Sequence, residues 1–249
     1  MKSLGNSSKK VQNIVVVGLF AAICYVAIML FRIPYPAPVG NPFIHFGNLF
    51  VILCALLFGG WQGGLAGAIG MGLYDVMTGY GWATAKTVIL KFGIGIVAGI
   101  IAYYGKKHPD KNARGALIVS SLVSLLIGVA LLLAKMYLES FSDIAPISYI
   151  FMFLLTAVTL GVALFEKNLS ASSMFALLGA CGGIAFNVVG EFAGGVIIKV
   201  LSGSDVGAAA VASIISLPAT FINGVFSIIG AVLLFVPLNK ALVKMGFEA

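Results

Sequence analysis

Apolar residues in this chain come in long runs, not in the alternating pattern of a half-buried strand. The runs lie near 14–31, 46–60, 63–79, 84–104, 115–137, 147–165, 172–201 and 208–236, separated by short polar or glycine-containing breaks. A helix needs about 20 apolar residues to cross the hydrocarbon of a bilayer. The pattern therefore predicts an all-α integral membrane protein of about eight transmembrane helices. Two of the runs, 46–60 and 63–79, are short for a span. They are joined by Gly59-Gly60-Trp61-Gln62, which leaves room only for a tight hairpin. The second carries Gly63, Gly64, Gly67, Gly70 and Gly72. Small residues four apart, such as Gly63 and Gly67, let helix backbones approach closely. Such a face either packs inside the protein or receives a partner helix.

The connection from Arg32 to His45 breaks the pattern. Pro34, Pro36, Pro38 and Pro42 fix φ and remove backbone donors, so an extended, stiff loop is expected there. It is either a connector or a lid, because long ordered loops are often functional.

Composition sharpens this picture. Hydrophobic residues make up 61% of the 249 positions and charged ones 9%, against about 25% charged in a soluble domain. No segment reads as a second, soluble domain, so 1–249 is one transmembrane domain. The net charge of +7 is concentrated in tails and short connections, at Lys2, Lys9, Lys10, Lys106, Lys107, Lys111, Arg114, Lys167, Lys240 and Lys244. An even number of crossings with both termini cytoplasmic places these residues inside, as the positive-inside bias requires. Glu139, Asp143 and Asp205 then fall outside. No basic patch is interleaved with aromatics, so a nucleic-acid partner is not expected. The apolar run at 14–31 is too long for a signal peptide and reads as the first membrane helix. Cys24, Cys54 and Cys181 lie in apolar runs and read as packing residues. No phosphate-binding Gly-rich loop, zinc motif or nucleophile elbow is present. No catalytic residue, metal site or cofactor is expected.

Charges at membrane depth need partners or a purpose. Asp75 lies near the outer end of the third helix and Lys91 about two turns into the fourth. They either pair or line an outward cavity, while Lys86 is close enough to the interface to snorkel. Asn187 and Glu191 are four apart and share a helix face. They serve either as interhelical glue or as a binding surface. The last helix carries Ser213, Ser216, Thr220, Asn223 and Ser227, one continuous stripe, with Pro218 inside it. Together the two polar faces suggest an outward pocket for a small polar or aromatic solute, closed by the proline-rich loop, with His45 at its mouth.

Three stretches carry a family resemblance. They are His45-Phe-Gly-Asn-Leu-Phe-Val-Ile-Leu-Cys-Ala-Leu-Leu-Phe-Gly-Gly, the glycine-rich segment from Gly63 to Tyr80, and Lys91-Phe-Gly-Ile-Gly-Ile-Val-Ala-Gly. Their order and texture resemble the substrate-binding S component of energy-coupling factor (ECF) transporters, the vitamin importers of bacteria and archaea. The resemblance covers about 14–104 and, more loosely, 172–236. It implies a non-enzymatic subunit of the cell membrane that captures a vitamin outside. That subunit then docks on a transmembrane coupling subunit driven by two cytoplasmic ATPases. The substrate residues so implied are Asn187, Glu191, Thr220 and Asn223, with His45, Asn48, Asp75 and Lys91 nearer the mouth. Pyridoxine-, pyrimidine- and flavin-like ligands all suit them, with a lean to the first two. Docking in that family uses small residues on the first helix. Gly18 and Ala22 match here, and Gly63 and Gly67 offer a second smooth face. The family usually has six helices, so about 115–165 reads as an inserted hairpin. A stand-alone ion-coupled transporter and a non-transporting assembly protein are the competing readings.

Overall fold

The computed structural model describes residues 2–35, 42–81, 83–137, 147–165 and 169–246. Pro36, Pro38, Glu139, Asp143 and Lys167 lie outside the described residues. Among the described residues, eight helices form where eight apolar runs predict them: α1 (Lys2–Leu30), α2 (Gly47–Phe58), α3 (Gly60–Met77), α4 (Ala83–Lys107), α5 (Arg114–Tyr137), α6 (Ser148–Phe165), α7 (Ala171–Leu201) and α8 (Val206–Lys244). Two are longer than their apolar runs. α1 begins within the polar N-terminal segment, and α8 continues through Pro237 to Lys244. Extending an existing helix is far cheaper than nucleating one.

Among the described residues six helices have the length and apolar content of a membrane span: 9–30 within α1, and α4 to α8. Of the eight expected crossings, α2 and α3 do not reach that length and apolar content. α2 has 12 residues, about 18 Å at 1.5 Å per residue. The glycines of α3 dilute its hydropathy. α2 is instead a core element, with ten residues buried between its neighbours.

Missing side chains set the packing. Gly59, at φ 113°, makes the break between α2 and α3 in a conformation that disfavours any residue with a Cβ. Past that break α3 folds back on α2. A Cβ on Gly63 would lie 2.6 Å from Ala55, and one on Gly67 would lie 2.6 Å from Val51. The glycine face of α3 is therefore filled by α2. Gly63 and Gly67 are not available to a partner, and this corrects the docking role expected of them. α3 meets α4 through a second glycine seam, where Gly95 faces Gly64 and Gly99 faces Gly60. α4 meets α7 where Gly179 and Gly183 lie over Ala98 and Ile94.

Helices α1 to α4, α7 and α8 form one contiguous bundle. α5 and α6 pack chiefly on each other, with Ser124 and Thr156 hydroxyls 2.8 Å apart, and touch the bundle through α7 and α8. Between α1 and α2 the chain forms a two-stranded antiparallel ribbon, β1 (Ile33–Pro34) and β2 (Phe43–Ile44), in which Ile33 pairs with Ile44.

Candidate solute-binding site

The ribbon lies at the end of the bundle where α3 turns into α4 and α7 turns into α8. Most of the polar residues buried within the helices gather beneath that end. Glu191 of α7 is the centre of one group. Its Oε2 accepts from Lys86 Nζ at 2.5 Å, and its Oε1 lies 3.9 Å from Lys91 Nζ. Lys91 also donates to Asn187 Oδ1 at 3.0 Å. Lys91 is 4% exposed and Asn187 2%, so these contacts replace water that an ammonium group would otherwise lose uncompensated. The alternative of a direct Asp75–Lys91 pair gives way to this arrangement. Lys86 does not snorkel outward, because its tip is drawn across to Glu191.

A second group joins α8 to the ribbon. Asn223 Oδ1 accepts from the His45 backbone N–H, and its Nδ2 donates to the Phe43 carbonyl, both at 2.9 Å. These two backbone groups are on the edge of β2 away from β1. The Asn223 amide thus takes the place of a third strand. Both its polar ends face the ribbon, so Asn223 holds the cover in place. His45 is buried, and its Nδ1 accepts from the Gly47 N–H at 3.1 Å, leaving Nε2 to carry the ring proton. Burial, with help from the Lys91 charge, pushes its pKa down to about 3. The ring is neutral at any physiological pH.

Two buried polar atoms in the same region have no hydrogen-bond partner among the described residues: Asn48 Oδ1 and Tyr35 Oη. Asn48 is 2% exposed and Tyr35 8%. Such atoms cost about 1–3 kcal/mol each unless something meets them. The α8 stripe is less open than its spacing suggests. Ser216 and Ser227 donate to the Ser213 and Asn223 carbonyls of their own helix. Ser213 Oγ accepts from Lys199 of α7 at 3.0 Å. Thr220 is half-buried on the same stripe.

Sequence reasoning missed Arg32, Tyr74 and Tyr80. The Arg32 guanidinium donates to Tyr80 Oη at 2.9 Å and Tyr74 Oη at 3.3 Å, and lies 4.6 Å from the centre of the Phe43 ring. It fastens the ribbon to the end of α3. No spacing signal reveals this cluster, whose members come from three separate segments. Among the described residues no group of side chains could hold a metal ion.

On the outside of the bundle, Gly18 and Ala22 are exposed on α1, in a stripe with Ile14, Val15, Val26 and Met29. A Cβ at Gly18 would meet nothing within 4 Å.

Comparison with known proteins gives a family and one relative. Residues 8–165 match a family model described as the ECF-type riboflavin transporter, S component. An uncharacterized protein in the gap 3′ region of Pyrococcus woesei is 40% identical over 74 residues, 30% of this chain and 48% of that protein. The chain thus spans about half the length of this curated relative. No solved structure matches. The family match ends with α6, so Asn187, Glu191, Lys199 and the α8 stripe lie beyond it.

Proposed function

The chain belongs to the S-component family of ECF-type riboflavin transporters, and on that premise we propose that it binds a flavin-like vitamin beneath the ribbon, on the outer side of the membrane. The observation that supports this reading is the pair of buried groups without a partner among the described residues, Asn48 Oδ1 and Tyr35 Oη. Tyr35 packs with Ala219 and Ile222 of α8 under the ribbon, and Asn48 opens α2 three residues after His45. A polar heteroaromatic ring presents both donors and acceptors along its edge and would satisfy such groups while its faces meet apolar walls. Pyridoxine- and pyrimidine-like ligands share this chemistry. The family description moves the preference to flavin.

In this reading both termini are cytoplasmic, and the six-helix core of α1 to α4, α7 and α8 is the binding unit. The α5–α6 hairpin is an addition at its side. Delivery inward requires docking on a transmembrane coupling subunit with its two ATPases. The exposed Gly18/Ala22 stripe of α1 is the surface offered for it. His45, Asn48, Asp75, Lys91, Asn187 and Thr220 are the candidate ligand contacts, with Glu191 and Asn223 positioning them. An ion-coupled transporter is less well supported, because Glu191, its best proton carrier, is engaged by two lysines.

The test is to purify the protein from cells, identify bound small molecules by mass spectrometry, and titrate the emptied protein with riboflavin, pyridoxine and hydroxymethylpyrimidine. Flavin recovered from the preparation, with binding lost in Asn48→Leu, is the expected result. A preparation that carries no flavin and binds none of the three would end the proposal.

A further inference from the structure

The α4–α7–α8 corner contains more positive charge than its acids neutralise. Lys86, Lys91 and Lys199 gather there against Glu191. Glu191 is spent on Lys86 and Lys91. Lys199 also lies within electrostatic reach of Glu191 and Lys86, yet among the described residues its hydrogen bonds go to neutral acceptors, Ser213 Oγ at 3.0 Å and the Gly195 carbonyl at 3.5 Å. Asp75 stands near Lys91 and Lys86. Counting it, three cations face two anions among the described residues, and His45 is neutral.

The corner is also built to admit these groups. Gly194 lies against the Lys86 stem, where a Cβ would come within 2.7 Å of Cδ. Gly195 lies against Ser213, where a Cβ would come within 2.9 Å of Oγ. Side chains at 194 and 195 would push the lysine and the serine apart. Lys199 runs back along α7 to the carbonyl four residues before it. Its ammonium therefore sits against the α7–α8 seam, with Lys199 half-buried. Ser213 is almost wholly buried. Its oxygen accepts from Lys199, which leaves its hydrogen to donate.

We propose that Lys199, Ser213 and Lys86 form an oxyanion subsite that takes a phosphate ester carried by the solute, so that the protein prefers a phosphorylated flavin to the free vitamin. A charged acceptor beside an ammonium and a hydroxyl makes the strong class of hydrogen bonds. It would also neutralise the excess charge that the membrane penalises. This inference rests on the flavin-binding reading above.

The experiment compares riboflavin with riboflavin 5′-phosphate by quenching of flavin fluorescence on the protein in dodecyl maltoside micelles. The readout is the ratio of their dissociation constants. The phosphate ester should bind more tightly by a factor on the order of 10. The ratio should fall to about one in Lys199→Gln and be retained in Lys199→Arg. Unaltered thermal melting would show that Lys199→Gln is folded. Equal binding of the two ligands by the wild-type protein would overturn the subsite and leave the function standing. Binding of neither would overturn the function itself. The same oxyanion chemistry occurs in lipid headgroups. Equal binding, together with phosphatidylglycerol retained by the wild type and lost from Lys199→Gln, would assign the corner to lipid and overturn the proposal.

Discussion

Asn223 shows how far a residue's role can differ from what its spacing suggests. Its amide makes two hydrogen bonds to β2, each worth about 0.5–1.5 kcal/mol net. Asn223→Ala should therefore weaken solute binding by about 1–3 kcal/mol, mostly through faster release, since the cover loses its fastening. Stopped-flow release rates would check this. An unchanged off-rate would show that the ribbon is held by Arg32 alone. His45 gives a prediction of pH dependence. Its pKa falls from the ordinary 6.5 to about 3 on folding, so between these values the unfolded chain binds the proton and the native one does not. Stability is therefore full above about pH 6.5 and declines as pH falls toward 3. Between pH 7 and pH 5 the loss from this residue should be about 2 kcal/mol. Melting in detergent should show that slope, and His45→Gln should flatten it. Neither role was legible beforehand. Asn223 and His45 are 178 residues apart in sequence, and which of several polar residues on a helix meets which partner depends on helix rotation. The polarity of Asn187 and Glu191 was legible, and so was their shared face. That Lys91 and Lys86 pair with them and not with Asp75 was not.

At the scale of elements, the eight helices were readable because hydropathy is a local property of the chain. The direction in which each glycine face points is not local. α3 turns Gly63 and Gly67 toward α2 because Gly59 permits a reversal tight enough to lay the two helices together. A partner-facing orientation of the same residues has the same sequence pattern. The two uses of small residues can be separated by experiment. Gly95→Val forces side-chain atoms into the backbone of α3 at Gly63 and Gly64. It should destabilise the fold by several kcal/mol, as overpacking and backbone displacement both contribute, and should lower the melting temperature and yield. Gly18→Val adds a side chain where nothing stands within 4 Å. It should leave melting and flavin binding unchanged while reducing co-purification with the coupling subunit and its ATPases. Normal co-purification would remove α1 from the docking surface.

For the whole molecule, the family match and the contact pattern divide the chain differently. The match runs continuously through α5 and α6 and stops before α7. The packing groups α7 and α8 with α1 to α4 and leaves α5 and α6 at the side. If binding belongs to the six-helix group, substitutions in the α5–α6 contact, such as Ser124→Leu against Thr156, should alter stability without changing the flavin dissociation constant. A calorimetric titration of that variant checks this. A shifted constant would bring the hairpin into the binding unit.

The stitch at Asn223 has a mechanical meaning. Pro218 interrupts α8 between that stitch and the helix's start at Val206, and a proline inside a helix removes a backbone hydrogen bond and permits a bend. The ribbon is thus anchored on the longer side of the break, in the stretch that runs on to the second proline, Pro237. Over that length the helix behaves as a rod with the cover at one end and the far end of the bundle at the other. A grip on the far end of the rod would move the door.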